Sequence, residues 1–245
     1  MTPKPIPAIE SVPATTPFIA PEALARRAGI TDLLRLGANE SPFGCSPRAL
    51  EAMREAAAGS WMYCDPENTE LREALAQRHH CGPESISVGA GIDDLLALTV
   101  RAYLGDGTVA LTFGTYPTFG YFVAGYGGRA VTVPYQDDGR VALAGLAALA
   151  HQQRARMVYL ANPDNPSGSY ANAAEVAQFI AALPEETIVV LDEAYVDFVE
   201  GEADNRVDPR IIRVRTFSKV YGMAGARIAY AVAAPEVVAT FQKIR

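Results

Sequence analysis

The chain is short of the residues that make metal and disulfide chemistry. Its three cysteines, Cys45, Cys64 and Cys81, stand singly and far apart, which excludes a zinc pair and an even disulfide set. The three histidines form no ligand cluster; His79 and His80 read as solvated helix-end side chains, and His151 closes an alanine-rich helix, where a polar or cationic group suits the dipole. Positive charge is scarce too. With 21 Lys and Arg against 28 Asp and Glu the net charge is -7, and pairs such as Arg26-Arg27 are too short to make the basic footprint of a nucleic-acid protein. No apolar run reaches the length of a membrane span, and the proline-rich start, Met1 to Pro17, has no apolar core of the kind a secretory signal needs. That start reads as a flexible arm, and the protein as cytoplasmic.

What remains is an ordinary enzyme composition. The 245 residues are 49% hydrophobic, enough for a large core in one or two domains. Short aliphatic strands alternate with amphipathic or alanine-rich helices. The pattern predicts strands at 86–88, 108–112, 129–133, 156–160, 187–191, 211–214 and 228–232, and helices at 92–103, 118–125, 142–152 and 172–182. Such alternation implies an α/β fold, a mostly parallel (mixed) sheet sandwiched by helices, with ligands beyond the carboxyl ends of the strands.

Several candidate functional residues follow such strands. Ile188-Val189-Val190-Leu191 ends in Asp192-Glu193-Ala194-Tyr195, and Arg215-Thr216-Phe217-Ser218-Lys219 is followed by Arg227. Taken singly, each is an ordinary turn or loop start; the order is what carries information. A lysine amine, a carboxylate at the end of a buried strand, a phenol and hydroxyls beside an arginine are the equipment of a pyridoxal phosphate site. Lys219 would hold the aldehyde as a Schiff base, and Asp192 would keep the pyridine nitrogen protonated. Tyr195 would reach the 3-oxygen, and Thr216, Ser218 and Arg227 would hold the phosphate. The rigid loop Asn162-Pro163-Asp164-Asn165-Pro166-Ser167-Gly168 would set the Asn165 amide against the ring oxygen. The glycine turn Gly89-Ala90-Gly91 before a helix is an anion site, or a packing feature alone.

With Asn39-Glu40-Ser41-Pro42, Tyr63 to Pro66 and Pro117-Thr118-Phe119, these motifs resemble the fold-type I pyridoxal phosphate aminotransferases, and within them the histidinol-phosphate branch. The resemblance runs from about Pro17 to the last residue. It is specific for the cofactor and much less so for the substrate, since threonine-phosphate decarboxylases share the motifs. It implies that Ala90, Gly91 and Ile92 offer backbone amides to the phosphate and that Phe119, commonly tyrosine in the family, stacks on the pyridine. It also implies that Asn39 meets the substrate and that Tyr63 reaches the phosphate of a neighbouring subunit in a homodimer with shared sites. The partners are then a small-molecule amino donor and a 2-oxo acid acceptor.

The expected organisation is an N-terminal arm over 1–30 and a cofactor-binding large domain over 31–245. Family members continue into a smaller carboxy-terminal domain, whereas this chain stops at Gln242-Lys243-Ile244-Arg245, within the helix that follows the lysine loop, so truncation is expected. The expected activity is transamination. A pyridoxal phosphate decarboxylase or lyase, a cofactor-holding module without turnover and a cofactor-free lysine aldolase are the alternatives.

Overall fold

Short runs of aliphatic and β-branched residues, too brief for helices, set the sheet, and longer stretches with apolar stripes cover it. The computed structural model describes residues 2–10, 12–14, 19–200 and 206–245. In chain order the elements are α1 (Pro7–Glu10), α2 (Pro21–Ala28), α3 (Pro47–Ala57), α4 (Thr69–His79), β1 (Ile86–Gly89), α5 (Ile92–Tyr103), β2 (Thr108–Thr112) and α6 (Thr118–Gly125). They continue with β3 (Arg129–Val133), α7 (Leu143–Gln153), β4 (Met157–Ala161), α8 (Ala173–Ala181), β5 (Ile188–Asp192), β6 (Ile211–Thr216), β7 (Ala229–Val232) and α9 (Pro235–Gln242). From β1 to β7 every boundary falls within two residues of its expected place.

The sheet runs β1-β7-β6-β5-β4-β2-β3. Only β7 is antiparallel to its neighbours, so the carboxyl ends of β1, β6, β5, β4 and β2 share one edge with the start of β7. The register places Gly89 and Thr216 both opposite Ala229, and Asp192 opposite Val214 and Ala161. Strand periodicity then sorts the side chains. Tyr159, Val190, Ile212, Val214 and Ala231 join the core under α5 and α6, while Val158, Leu160, Val189 and Leu191 join the core under α7 and α8. Asp192 shares the parity of Val190, so it points to the α5 side.

Local signals explain the helix starts. Asn172 caps α8 by accepting from the amides of Ala174 and Glu175, while Glu175 Oε2 accepts from Asn172 N at 2.8 Å. One expectation changes. His79 is not solvated: α4 turns it against β7, where it is buried and its Nε2 lies 2.9 Å from the Tyr230 hydroxyl. The start of the chain includes a helical turn, α1, against α6; Met1 and Pro17 lie outside the described residues. The last helix, α9, runs to Gln242.

Candidate cofactor site

Asp192 ends β5 with its carboxylate buried. Tyr159, on β4, donates its hydroxyl to Oδ2 at 2.7 Å, and Ala194 N donates to Oδ1 at 3.0 Å. Burial pushes the carboxyl up to about 6, against the two donated hydrogen bonds. Next in sequence, Glu193 turns to the opposite face and pairs with Arg213 at 2.8 Å and Arg215 at 2.7 Å, all three buried.

Lys219 follows β6 in a turn. Its Nζ donates to Ala38 O at 2.7 Å and stands 5.6 Å from the centre of the Tyr195 ring. Burial lowers its affinity for a proton, with Glu40 and Asp192 opposing and Arg227 assisting, so the amine sits within the field of all three. Asn39 Nδ2 donates to the Tyr195 hydroxyl at 3.0 Å. Ala38 and Asn39 both have left-handed backbone, φ 65 and 51, a costly conformation outside glycine. Arg35 grips Glu40 through two hydrogen bonds, 2.6 and 2.5 Å, and also pairs with Glu22, so α2 is tied to this segment.

The phosphate donors expected from sequence come together on the same edge. Gly91, φ 96, precedes α5, and the Arg227 guanidinium lies where a Cβ at that position would stand, so the cation sits beside the start of the helix. Thr216 Oγ1 donates to Ser218 Oγ at 2.9 Å and accepts from Ser218 N at 3.0 Å. Gly89, Ala90, Arg227 and Asn68 help to line a cavity of about 300 Å³. Ile92 is half-buried at the first position of α5. A carboxylate also takes part: Asp94 Oδ2 accepts from Ala90 N at 3.0 Å.

Asn165 is half-buried and, with Asn39, Tyr170, Tyr195 and Phe198, lines a second groove of about 430 Å³. Its loop is fixed by Asp164, a residue given no role from sequence. Asp164 accepts from Thr115 Oγ1 at 2.7 Å, Tyr135 OH at 2.8 Å and Ser167 Oγ at 2.8 Å.

One expected residue stands elsewhere. Phe119 has no exposed surface; the first turn of α6 carries it into the core, where it stacks on Tyr159 with ring centres 4.5 Å apart and planes 17° apart. It is therefore corrected from a ring-stacking residue to a core residue. The aromatic that does face the site is Tyr116, half-buried in the turn before α6, whose hydroxyl donates to Asp93 Oδ1 at 3.3 Å and which lies within the field of Asp192. Its signal was the neighbouring sequence Thr115-Tyr116-Pro117, where a proline forces a turn before the helix. Tyr63, expected to reach the phosphate of a neighbouring subunit, is fully exposed beside exposed Trp61 and Met62.

The model for aminotransferase class I and II matches residues 31–245. A histidinol-phosphate aminotransferase of Anaeromyxobacter is 37% identical over 96% of this chain and 67% of its own length, and one of Moorella thermoacetica is 35% identical over 97% and 63%. Among solved structures, a histidinol-phosphate aminotransferase of Sinorhizobium meliloti in complex with pyridoxal-5'-phosphate superposes with TM-score 0.93 and 48% identity, over 100% of this chain and 67% of that one. An aspartate aminotransferase of Thermus thermophilus with maleate, 24% identical, shares the fold at TM-score 0.84, over 99% of this chain and 68% of that one. The chain thus spans about two thirds of the length of such relatives.

Proposed function

Because the chain belongs to the class I and II aminotransferases, a pyridoxal phosphate-dependent family, we propose that its sheet edge is a cofactor site serving transamination between a histidinol phosphate-like amino donor and a 2-oxo acid. The observation that carries this reading is the meeting of a part-buried lysine amine, a buried carboxylate and an arginine beside a helix start on one edge. The residues fit the group: Gly91, φ 96, opens α5 beside the Arg227 guanidinium, which sets a cation next to free helix amides as an anion requires.

When bound, the cofactor supplies an electron sink for the pair left by a broken bond at the donor's α-carbon. Lys219 would hold the aldehyde carbon and, once released, move the α-proton; burial favours the neutral amine that this work needs. Asp192 would accept the pyridine N–H, Tyr195 and Asn165 would contact the ring oxygen, and Tyr116 would cover a ring face. Thr216, Ser218, Arg227 and the amides of Ala90, Gly91 and Ile92 would hold the phosphate. Asn39, hydrogen-bonded to Tyr195, would meet the substrate in the groove that both line with Asn165. Residues 31–245 would form the cofactor-binding domain, with 1–30 as an arm.

A homodimer in the cytoplasm fits the exposed apolar run Trp61, Met62 and Tyr63, which a second copy would cover while Tyr63 reached its phosphate. Among the described residues no helix is long and apolar enough to cross a membrane.

The test is borohydride reduction of the chain loaded with pyridoxal phosphate, followed by peptide mapping. Label on Lys219, its loss in Lys219→Ala, and amino transfer from histidinol phosphate that the variant lacks are expected. A Lys219→Ala chain that still turns over would sink the assignment.

A further inference from the structure

The contact between Tyr159 and Asp192 has the form of a built device. Both groups are buried, Tyr159 with 1% of its surface exposed, so neither has water as an alternative partner. The two come from adjacent parallel strands, β4 and β5, whose register is fixed by the backbone ladder. Phe119 lies flat against the Tyr159 ring and fixes its plane. Each Asp192 oxygen accepts one donor, Tyr159 OH on Oδ2 and Ala194 N on Oδ1, so each keeps one free lone pair.

We propose that Tyr159, backed by Phe119, is a positioning residue of the cofactor site: its hydroxyl holds Asp192 turned and charged toward the pyridine nitrogen. The inference rests on the cofactor reading above. Without the hydroxyl the carboxylate would keep a single donor in a buried site that already disfavours its charge. The groups around it do little to replace that donor. Asp93 on α5 and Glu193 on the strand end oppose the charge, and Tyr116 and Tyr195 bring neutral phenols. Lys219 is a cation whose field reaches it, and cofactor binding would consume that amine. Tyr159 thus acts on the ring nitrogen through Asp192 and touches neither cofactor nor substrate itself.

Tyr159→Phe keeps the ring and the stack and removes only the hydroxyl. The experiment loads the full chain with pyridoxal phosphate labelled with ¹⁵N in the ring and follows the nitrogen resonance against pH, beside the cofactor dissociation constant. Expected in the variant are affinity weaker by about tenfold, as for losing a hydrogen bond to a charged group, and a midpoint for ring-nitrogen deprotonation lower by about one pH unit. Phe119→Leu, which loosens the backing without touching the hydroxyl, should move the midpoint the same way by less, and it decides the matter should Tyr159→Phe not fold. An unchanged midpoint in a variant that still carries cofactor on Lys219 overturns the inference and leaves the site reading intact. A parent chain without the Lys219 adduct overturns the site reading itself.

Discussion

Asp192 is a carboxylate the fold holds at a cost until something cationic meets it. Its proton is held more tightly in the folded chain, about 6 against an ordinary 3.8, so its contribution to stability is present below the lower value and lost as pH rises through the upper. The loss is on the order of 3 kcal/mol at neutral pH. Asp192→Asn should therefore gain on the cofactor-free parent as pH rises from 4 to 8 while binding cofactor worse. Urea midpoints at several pH values check this, and a variant-to-parent difference independent of pH would refute it. At this scale the placement of residues was most legible where chemistry narrows the choice: Lys219, Asp192, Thr216, Ser218 and Arg227, singled out by what an aldehyde, a pyridine and a phosphate need, lie at one edge of the sheet. It was least legible for the rings. Phe119 and Tyr116 lie three positions apart on either side of a helix start, and which of them turns inward is decided by packing against Tyr159, a long-range contact.

Elements carry a second kind of constraint, the approach of one backbone to another. Gly222, φ 64 in the lysine turn, sits so close to the backbone of Gly44 and Cys45 that a methyl group would overlap both. Through this contact and the bond from Lys219 to Ala38, the segment from 38 to 45 forms one wall of the site. Gly222→Ala should cost more than about 1 kcal/mol from the left-handed backbone alone and should push that wall away, exposing Lys219. Faster trinitrophenylation of Lys219 together with a lower denaturation midpoint is expected; unchanged lysine reactivity would rule out the wall. The β5–β6 seam is held from behind by Glu193 between Arg213 and Arg215, an arrangement invisible in a run that reads only as an apolar strand, because pairing across strands sets it. Strand and helix boundaries from 86 onward were legible because each element buries its own apolar face.

The whole molecule divides at about that point. Residues 1–85 gave few strand or helix signals because α2, α3 and α4 bury little of themselves: Ala25 in α2, nothing in α3, and Leu75, Ala76 and His79 in α4. Apolar side chains in the segments between these helices, Leu34, Leu36, Phe43 and Trp61 among them, are left exposed by the described residues of one chain. The mixed sheet has a further consequence, one of time. Among the described residues β1 pairs only with β7, so residues 86–89 find that partner only when 229–232 have formed, and Gly89 to Gly91 and Arg227 flank that last pairing. Contacts so distant in sequence close late, after the neighbouring parallel strands. Pulse-labelled hydrogen exchange during refolding should find β4 and β5 amides protected before those of β1, and simultaneous protection would refute the order. A growing chain would thus have most of its sheet before it had anywhere to put a phosphate.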